Sequence, residues 1–476
     1  MALLLFGLRQ LASSLAGNQL RHESEWMHAT VQGGHPLWQW QLRKPDDLIA
    51  GRAFGAADVH PDTNGLRITS RDGTPFELGM PLAHAVDLRH WPLLRIQGSS
   101  TAAGTLGLVW QGAGTDACRT DGIDLPAGRL DLSIDLRTLS SRQPCAALST
   151  AWMLRLRPQL PASASLLLTR VALLAADPPS IPTRPGLVLS KETVTASRQL
   201  RTYQSPSAMP LVTLHTGASA ETLLQLRDEI RARWPAALLQ VGERPLSGTP
   251  RTHLPAWTQI LACGLYLLGL LWLWRRPQLF RHRNLLELAA ILTGPLWLIA
   301  GLQWGTDHAG PAAAAFAGAL LFAAIRRDAI QPWQWFGRWQ DAAWAAFPVL
   351  AALALVLSCG HALQPPGWRG ALVYLLWATL QQWLMLGAVL PRLEKLIARP
   401  WPAVLAVATL FALLHTPNGA LMQLCLLAEC WWAWCFLRRR SLLPVAAAHA
   451  ACALLVQAGL SGGLLRSLEV SARFFH

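Results

Sequence analysis

Four places in the C-terminal half set polar side chains among almost wholly apolar neighbours: Gln381-Gln382, His415, Glu429 and His449. Inside hydrocarbon such groups are costly, so they carry most of the functional information in a membrane sequence. Imidazoles can hold and pass a proton and a carboxylate can accept one. A carboxamide can orient water or a carbonyl group but cannot take a proton at neutral pH. Each residue also has a plain structural reading. Interior histidines are more often packed and hydrogen-bonded than reactive, paired glutamines often join helices, and Glu429 could face another helix as a hydrogen-bonded structural glutamate. His308 and His361 fall at span edges and are given no role.

The elements that would position these residues are helices. From Trp257 onward apolar runs of roughly 18–22 residues recur, each long enough to cross a hydrocarbon core of about 30 Å. In lipid every backbone amide needs an internal partner, so the runs must be helical. Eight spans are expected, at 257–274, 285–304, 310–325, 342–363, 370–391, 401–416, 420–437 and 442–460, the third short and Ala-rich. Within them Glu429 reads as the only deeply placed acidic residue. Trp257, Trp333, Trp335, Trp339, Trp368 and Trp401 sit near span ends, where indoles anchor to the interface.

Charge follows the same division. The chain carries 41 Lys+Arg against 27 Asp+Glu, a formal net charge of +14, and 52% hydrophobic residues. In the second half the basic residues cluster between spans: Arg275, Arg276, Arg281 and Arg283 after the first, and Arg326, Arg327 and Arg338 after the third. Arg392, Lys395 and Arg399 follow the fifth, and Arg438, Arg439 and Arg440 the seventh. Even-numbered loops carry almost none. The positive-inside rule then puts residues about 20–255 outside the cytoplasm. Clustering of this kind, without stacking platforms or basic helix faces, argues against a nucleic-acid partner. Nearly all the basic residues are arginine, the lysines being Lys44, Lys191 and Lys395. That bias suits a GC-rich genome and, with the spans, an integral protein of a bacterial inner membrane.

The first half reads as water-soluble. Residues 1–20 are expected to be a signal peptide or a truncated signal anchor, with Ser14-Leu15-Ala16 as a cleavage site, although the basic n-region is missing; an amphipathic helix is the alternative. Residues 60–176, within an expected domain at 21–180, carry strand signals: Leu130, Leu132, Ile134 and Leu136 alternate with Asp131, Ser133 and Asp135. Similar segments occur at Leu66–Ser70, Leu93–Gln97, Thr105–Gln111, Trp152–Arg157 and Ser165–Leu174. Repeated short strands without helices between them favour a β-sandwich. Its rhythm resembles jelly-roll carbohydrate-binding modules, which leaves a glycan or a protein open as its ligand, although no sugar-site motif is present. Residues 181–256 hold linkers and a βαβ-like unit: a strand at Pro210–His215, a helix at Ala220–Trp234 and a strand at Ala236–Val241. Residues 257–476 form the helical membrane domain. The expected fold is thus a multi-domain membrane protein, an extracytoplasmic β-sandwich and small α/β unit followed by an all-α bundle of about eight transmembrane helices.

Of eight cysteines, Cys118 and Cys145 lie in the soluble part, and a disulfide between them would suit an oxidising compartment. Cys263, Cys359, Cys425, Cys430, Cys435 and Cys452 read as small apolar packing residues. No CxxC pair supports a zinc knuckle or a thioredoxin motif.

Phe411-Ala412-Leu413-Leu414-His415 fits an FxxxH motif. Some thirty residues on, Arg440-Ser441-Leu442-Leu443-Pro444 and then His449 fit a segment in which His is followed four residues later by Asn. With the pair at 381–382, these landmarks make residues 340–460 resemble the CPBP (type II CAAX-processing and bacteriocin-processing) intramembrane endopeptidases. The resemblance implies a glutamate and the FxxxH histidine activating water while the last His and Asn polarise the carbonyl, with a divalent metal left open. It implies membrane-embedded peptides or proteins as substrates. This sequence departs at the decisive positions: the family's Glu-Glu pair is Gln381-Gln382, its motif Arg is Leu386 and its final Asn is Ala453. Loss of a general base costs about 10²–10⁴-fold and loss of an oxyanion donor roughly 10²–10³-fold. The favoured expectation is a catalytically degenerate relative, a pseudoenzyme that keeps the fold and a cavity for membrane-embedded peptides. The alternatives are an active endopeptidase with a rearranged site built from Glu429, His415 and His449, and a glycan- or protein-binding module on a membrane anchor. A transporter is disfavoured by the lack of internal repeats and membrane charges.

Overall fold

A computed structural model describes all residues except 83, 113–115, 140–149, 178, 206, 248–254, 276–282, 300–308, 328–332, 365–366, 463–464 and 476. The chain divides into two compact units. One comprises Asn18–Ala218 and Gln225–Arg251; the other comprises Met1–Gly17, Ser219–Leu224 and Thr252–His476. The membership of the first 17 residues in the helical unit is announced by no pattern in the sequence. Helix α1 runs unbroken over Ala2–Gln32, so Ser14-Leu15-Ala16 lies inside a helix, with Ala16 fully buried.

The first unit is sheet-rich. A six-stranded antiparallel sheet runs in the order Gly128–Asp135, Leu93–Ser100, Ser165–Leu174, Gly65–Ser70, Ala57–Asp62, and Trp38–Gln41 also pairs with Ser165–Leu174. Ser165–Leu174 holds this sheet together. One edge pairs along Leu93–Ser100, while the other serves Gly65–Ser70 with its first half and Trp38–Gln41 with its second. The register shifts between Leu168 and Arg170, and a Cβ on Gly98 would run into the Leu167 carbonyl oxygen. Glycine is what the close approach at this bulge requires. A five-stranded antiparallel sheet is built on Gly104–Gln111 and Met153–Gln159. Inward residues of both sheets, among them Leu66, Ile68, Leu94, Ile96, Leu108, Leu154, Leu156 and Leu168, belong to one apolar core. The alternation at 130–136 is realised, with Leu130 and Ile134 buried and Asp131 exposed. Cys118 is disulfide-bonded; Cys145, its expected partner, lies outside the described residues.

After these sheets come three parallel strands, Leu187–Val188, Leu211–Leu214 and Leu238–Val241, in that order. Helix α2 (Thr193–Thr202) lies between the first two in sequence and α3 (Ala220–Arg233) between the last two. The sequence pattern announces the second crossover but not the first. Helix α2 is polar and buries only Ala196 and Leu200, too sparse an apolar stripe to stand out.

Packing in this unit also depends on a buried charge cluster. Arg231 donates to Glu23 at 2.5 Å and Arg227 lies 3.7 Å from it. Burial pushes the Glu23 carboxyl up, but Arg231 and Arg227 outweigh it and hold the group below the usual carboxylate range. Arg231 Nη1 also donates to His84 Nε2 at 3.4 Å. Burial, with Arg231 adding to it, pushes the His84 imidazole down to about 4. The unfolded chain therefore binds a proton at His84 that the fold refuses between about pH 6.5 and 4. Stability from this contact is full above the upper value and is lost as pH falls through the window. The Glu23 contribution is present above its unfolded pKa and is lost as pH falls through its depressed folded value.

The second unit is helical: α4 (Ala256–Arg275), α5 (Arg283–Leu298), α6 (Ala309–Ile325), α7 (Trp339–Ala345), α8 (Phe347–Cys359) and α9 (Trp368–Gln382). Helix α9 continues through a π-helical stretch, Trp383–Val389, into α10 (Leu390–Leu396), and α11 (Pro400–Leu413), α12 (Gly419–Arg439) and α13 (Leu443–Leu460) follow. Among the described residues, five helical segments are long and apolar enough to cross a membrane: Trp257–Arg275, Gln340–Cys359, Trp368–Leu396, Gly419–Arg439 and Leu443–Leu460. Gly310–Ile325 and Pro400–Leu413 are apolar but shorter. Helix α5 stops at Leu298, and most of the expected continuation to 304 lies outside the described residues. Large apolar side chains such as Leu268, Leu350, Leu357 and Val373 are more than 60% exposed on these helices, as lipid-facing residues should be.

An ion-pair hub ties the helix ends. Glu287, only 2% exposed, accepts from Arg283 at 2.8 Å, Arg326 at 2.9 Å and Arg392 at 3.1 Å. Arg440 grips Glu394 through two bonds of 2.9 and 2.7 Å. This adds to two expectations. Glu429 is not alone among buried acids of the expected spans, because Glu287 lies in the second. Arg326 and Arg392 are not simple loop charges, because they are drawn in to neutralise Glu287.

Two outcomes follow from these clusters. Glu287→Gln should leave Arg392 buried without a counter-charge and cost about 3–5 kcal/mol. That would be read as a lowered melting temperature in detergent; an unchanged value would remove the hub from the account. Proteolytic resistance of the sheet-rich unit should fall between about pH 6.5 and 4, and His84→Gln should flatten that part of the profile.

Candidate functional site

The residues singled out in the sequence converge in the second half of the helical unit. Gln381 and Gln382 end α9 where it passes into the π-helical stretch, a local irregularity often found at functional positions. His415 follows the last turn of α11, its amide bonded to the Ala412 carbonyl at 2.9 Å. Asn418 caps α12 by accepting from Leu421, and its amide donates to the carbonyls of Ser467 and Glu469. It is fully buried and serves the backbone. Glu429 lies midway along α12 and His449 in α13.

Gln382 is the centre of the constellation. Its Nε2 donates to Glu429 Oε2 at 2.8 Å and lies 3.3 Å from His449 Nδ1. Gln382 and Glu429 are fully buried, and His449 is 5% exposed. His415 Nδ1 meets the Phe411 carbonyl at 2.8 Å. The Phe411 ring stands edge-on to both imidazoles, at 4.8 Å from His415 and 5.4 Å from His449, and Trp432 lies 5.3 Å from His449.

A carbonyl can only accept, and the Gln382 carboxamide, with its NH₂ oriented toward the Glu429 carboxylate, can only donate. His415 therefore carries its proton on Nδ1 and keeps a lone pair on Nε2. His449 accepts on Nδ1 and carries its proton on Nε2. The two rings thus supply one acceptor and one donor.

A cavity of about 210 Å³ lies beside them, lined by Gln381, His415 and His449 together with Tyr374, Phe411, Trp432, Cys425, Cys452 and Ala453. Glu429 and Gln382 are not among its lining residues; they stand behind the wall and hold His449 from the rear. The Oε1 atoms of Gln381, Gln382 and Glu429 are buried without a hydrogen-bond partner.

Among the described residues no group of three or more His, Cys, Asp or Glu is arranged to hold a metal ion. His415, His449, Cys425 and Cys452 on the wall form no such group, and with no carboxylate among the described lining residues the wall presents no assembled donor set for a catalytic divalent metal. The residues present do not fit a metal.

The segment 363–455 matches the family model described as type II CAAX prenyl endopeptidase Rce1-like. Over this segment the chain is Rce1-like. No curated protein matches the chain. The Rce1-like segment contains Gln381, Gln382, His415, Glu429, His449 and Ala453, while Ile299, Leu468 and Val470 on the cavity wall fall outside it. The sequence did not single out Tyr374, Trp432, Cys425 or Cys452. They read as ordinary apolar helix residues, and only helix packing brings them to one wall.

Proposed function

We propose that the protein is a CAAX protease-like membrane protein whose Rce1-like segment binds membrane-embedded peptide segments without cleaving them by the family's route. One observation carries this reading. The cavity is lined by His449, whose Nδ1 is taken up by Gln382, by His415, whose Nδ1 is taken up by the Phe411 carbonyl, and by the Gln381 carboxamide, and no carboxylate is among its described lining residues. That set is complementary to a peptide bond, which offers one carbonyl and one N–H. A cavity of about 210 Å³ is small against a helix, which with its side chains is about 10–12 Å across. The occupant is therefore a short unwound stretch of a membrane segment, whose freed backbone groups need partners in the absence of water.

A second reading has its own support. His415 keeps a lone pair on Nε2 beside a donor on His449, the arrangement an active site would use for water and carbonyl. Peptide hydrolysis through His415, with Glu429 and Gln382 positioning His449, is therefore the alternative.

The domain plan and topology belong to the same proposal. Arg283, Arg326 and Arg392 meet on Glu287, and Arg440 meets Glu394. The loops after the first, third, fifth and seventh expected spans thereby reach one end of the bundle, as eight alternating spans require. The positive-inside rule makes that end cytoplasmic. The sheet-rich residues from about 20 to 255 then form an extracytoplasmic, jelly-roll-like β-sandwich with its small α/β unit, open to a glycan or protein, on a bundle in a bacterial inner membrane.

A photoreactive residue at Ala453 should crosslink a hydrophobic peptide carrying an unwound Gly-Pro stretch, whereas the same residue at lipid-facing Leu357 should not. Replacing His449 with Leu should weaken capture about fivefold, the worth of one hydrogen bond. Equal labelling at both positions would remove the binding reading. In a background lacking the membrane cysteines, Thr74→Cys should react with an impermeant maleimide on intact cells and Lys395→Cys only after lysis. The reverse pattern would invert the topology.

A further inference from the structure

A second cavity, of about 430 Å³, lies where the C-terminus of α12 meets α7 and the start of α13. Its wall includes Asp341, Trp431, Trp434, Arg438, Arg439 and Ser441. Two of these side chains are buried and incompletely satisfied. Ser441, 2% exposed, has an Oγ without a hydrogen-bond partner, and Asp341, 6% exposed, has an Oδ1 without one. Asp341 Oδ2 is already engaged by the Arg338 amide at 2.9 Å. The nearest cation to Oδ1 is Arg439 Nε, at 3.5 Å. A buried acceptor left in this state is costly unless a ligand completes it.

The cavity wall carries both signs of charge, Asp341 lying beside Arg439. Arg438 and Arg439 supply guanidinium donors suited to phosphate. Asp341 and Ser441 supply acceptors for N–H groups. A simple anion would leave Asp341 facing like charge, and a simple cation would meet the arginines, so the complementary ligand is a zwitterion. Trp434 cannot serve as a cage for a methylated ammonium, because Arg438 lies 4.4 Å from its ring centroid and Trp401 stacks on it at 4.9 Å. The buried acceptors on Asp341 and Ser441 favour a cation that carries N–H groups.

We infer that this cavity binds the headgroup of a phospholipid bearing a primary ammonium, with phosphate on Arg438 and Arg439 and ammonium on Asp341 Oδ1 and Ser441 Oγ. The inference rests on the membrane reading of the helices and not on peptide binding in the other cavity. The setting suits a lipid. Tryptophans and arginines gather at helix ends where headgroups lie, and Trp344 and Phe347, each more than half exposed, line the adjoining surface along which acyl chains would run.

The test uses the full chain, delipidated in detergent and titrated by native mass spectrometry with phosphatidylethanolamine, phosphatidylcholine and phosphatidylglycerol of matched chains. Wild type should retain one phosphatidylethanolamine roughly tenfold more tightly than either of the others, the discrimination expected when a site built for N–H groups meets a ligand lacking them. Asp341→Asn should abolish the preference over phosphatidylcholine. Ser441→Ala, a smaller change that guards against misfolding of the first variant, should weaken phosphatidylethanolamine about fivefold. Equal binding of the three lipids, or an unchanged preference in both variants, would overturn the inference. Displacement by soluble glycerophosphoethanolamine at concentrations matching the lipid would overturn the assignment to a lipid in favour of a free phosphodiester.

Discussion

In a bundle surrounded by hydrocarbon, a polar atom that finds no partner within the protein finds none at all. The hydrogen bond from Gln382 to Glu429 is where this constraint shapes the candidate site. It ties α9 to α12, and the same carboxamide nitrogen supports His449 of α13. Removing the Gln382 amide would strand a fully buried carboxyl group and release the imidazole. The donor–acceptor pair facing the cavity depends on this unexposed contact behind it. Glu429 reaches His449 only through Gln382, and no carboxylate joins His415 and His449 among the described lining residues.

The same constraint operates at the end of the bundle. A single glutamate draws three arginines inward, and their helices follow. Charges that in sequence look like markers of membrane orientation also cross-link the fold. The sheet-rich unit meets its buried charges differently. Glu23, Arg227, Arg231 and His84 form one cluster there, in a setting that ties its stability to pH.

How much of this could be read in the sequence depended on whether the signal was periodic. Strands such as Leu93–Ser100 and Ser165–Leu174 were legible because alternation marks a half-buried strand. The apolar runs gave away helices in all eight expected regions. Helix α2 was not legible, because a polar helix with two buried residues leaves no stripe. The site was half legible. Motif spacing singled out Gln381, Gln382, His415 and His449, but the partnership of Gln382 with Glu429, 47 residues apart, has no local signature. Nor did Glu287 stand out, since Arg326 and Arg392 are distant from it in sequence and only their convergence on it beside Arg283 gives it meaning. Likewise, Ser441 and Asp341 gain interest only from what they lack in the folded chain.

The central proposal is that the Rce1-like segment binds peptides without the family's chemistry: Gln381 and Gln382 cannot take a proton from water, and Ala453 offers nothing to an oxyanion. The most direct measurement is cleavage of a transmembrane peptide library by purified wild-type protein, run beside His415→Ala and Glu429→Gln at matched expression. The account predicts that wild type leaves the library intact, as both variants do. Cleavage by wild type that is abolished in both variants would contradict it and establish an altered active site in its place.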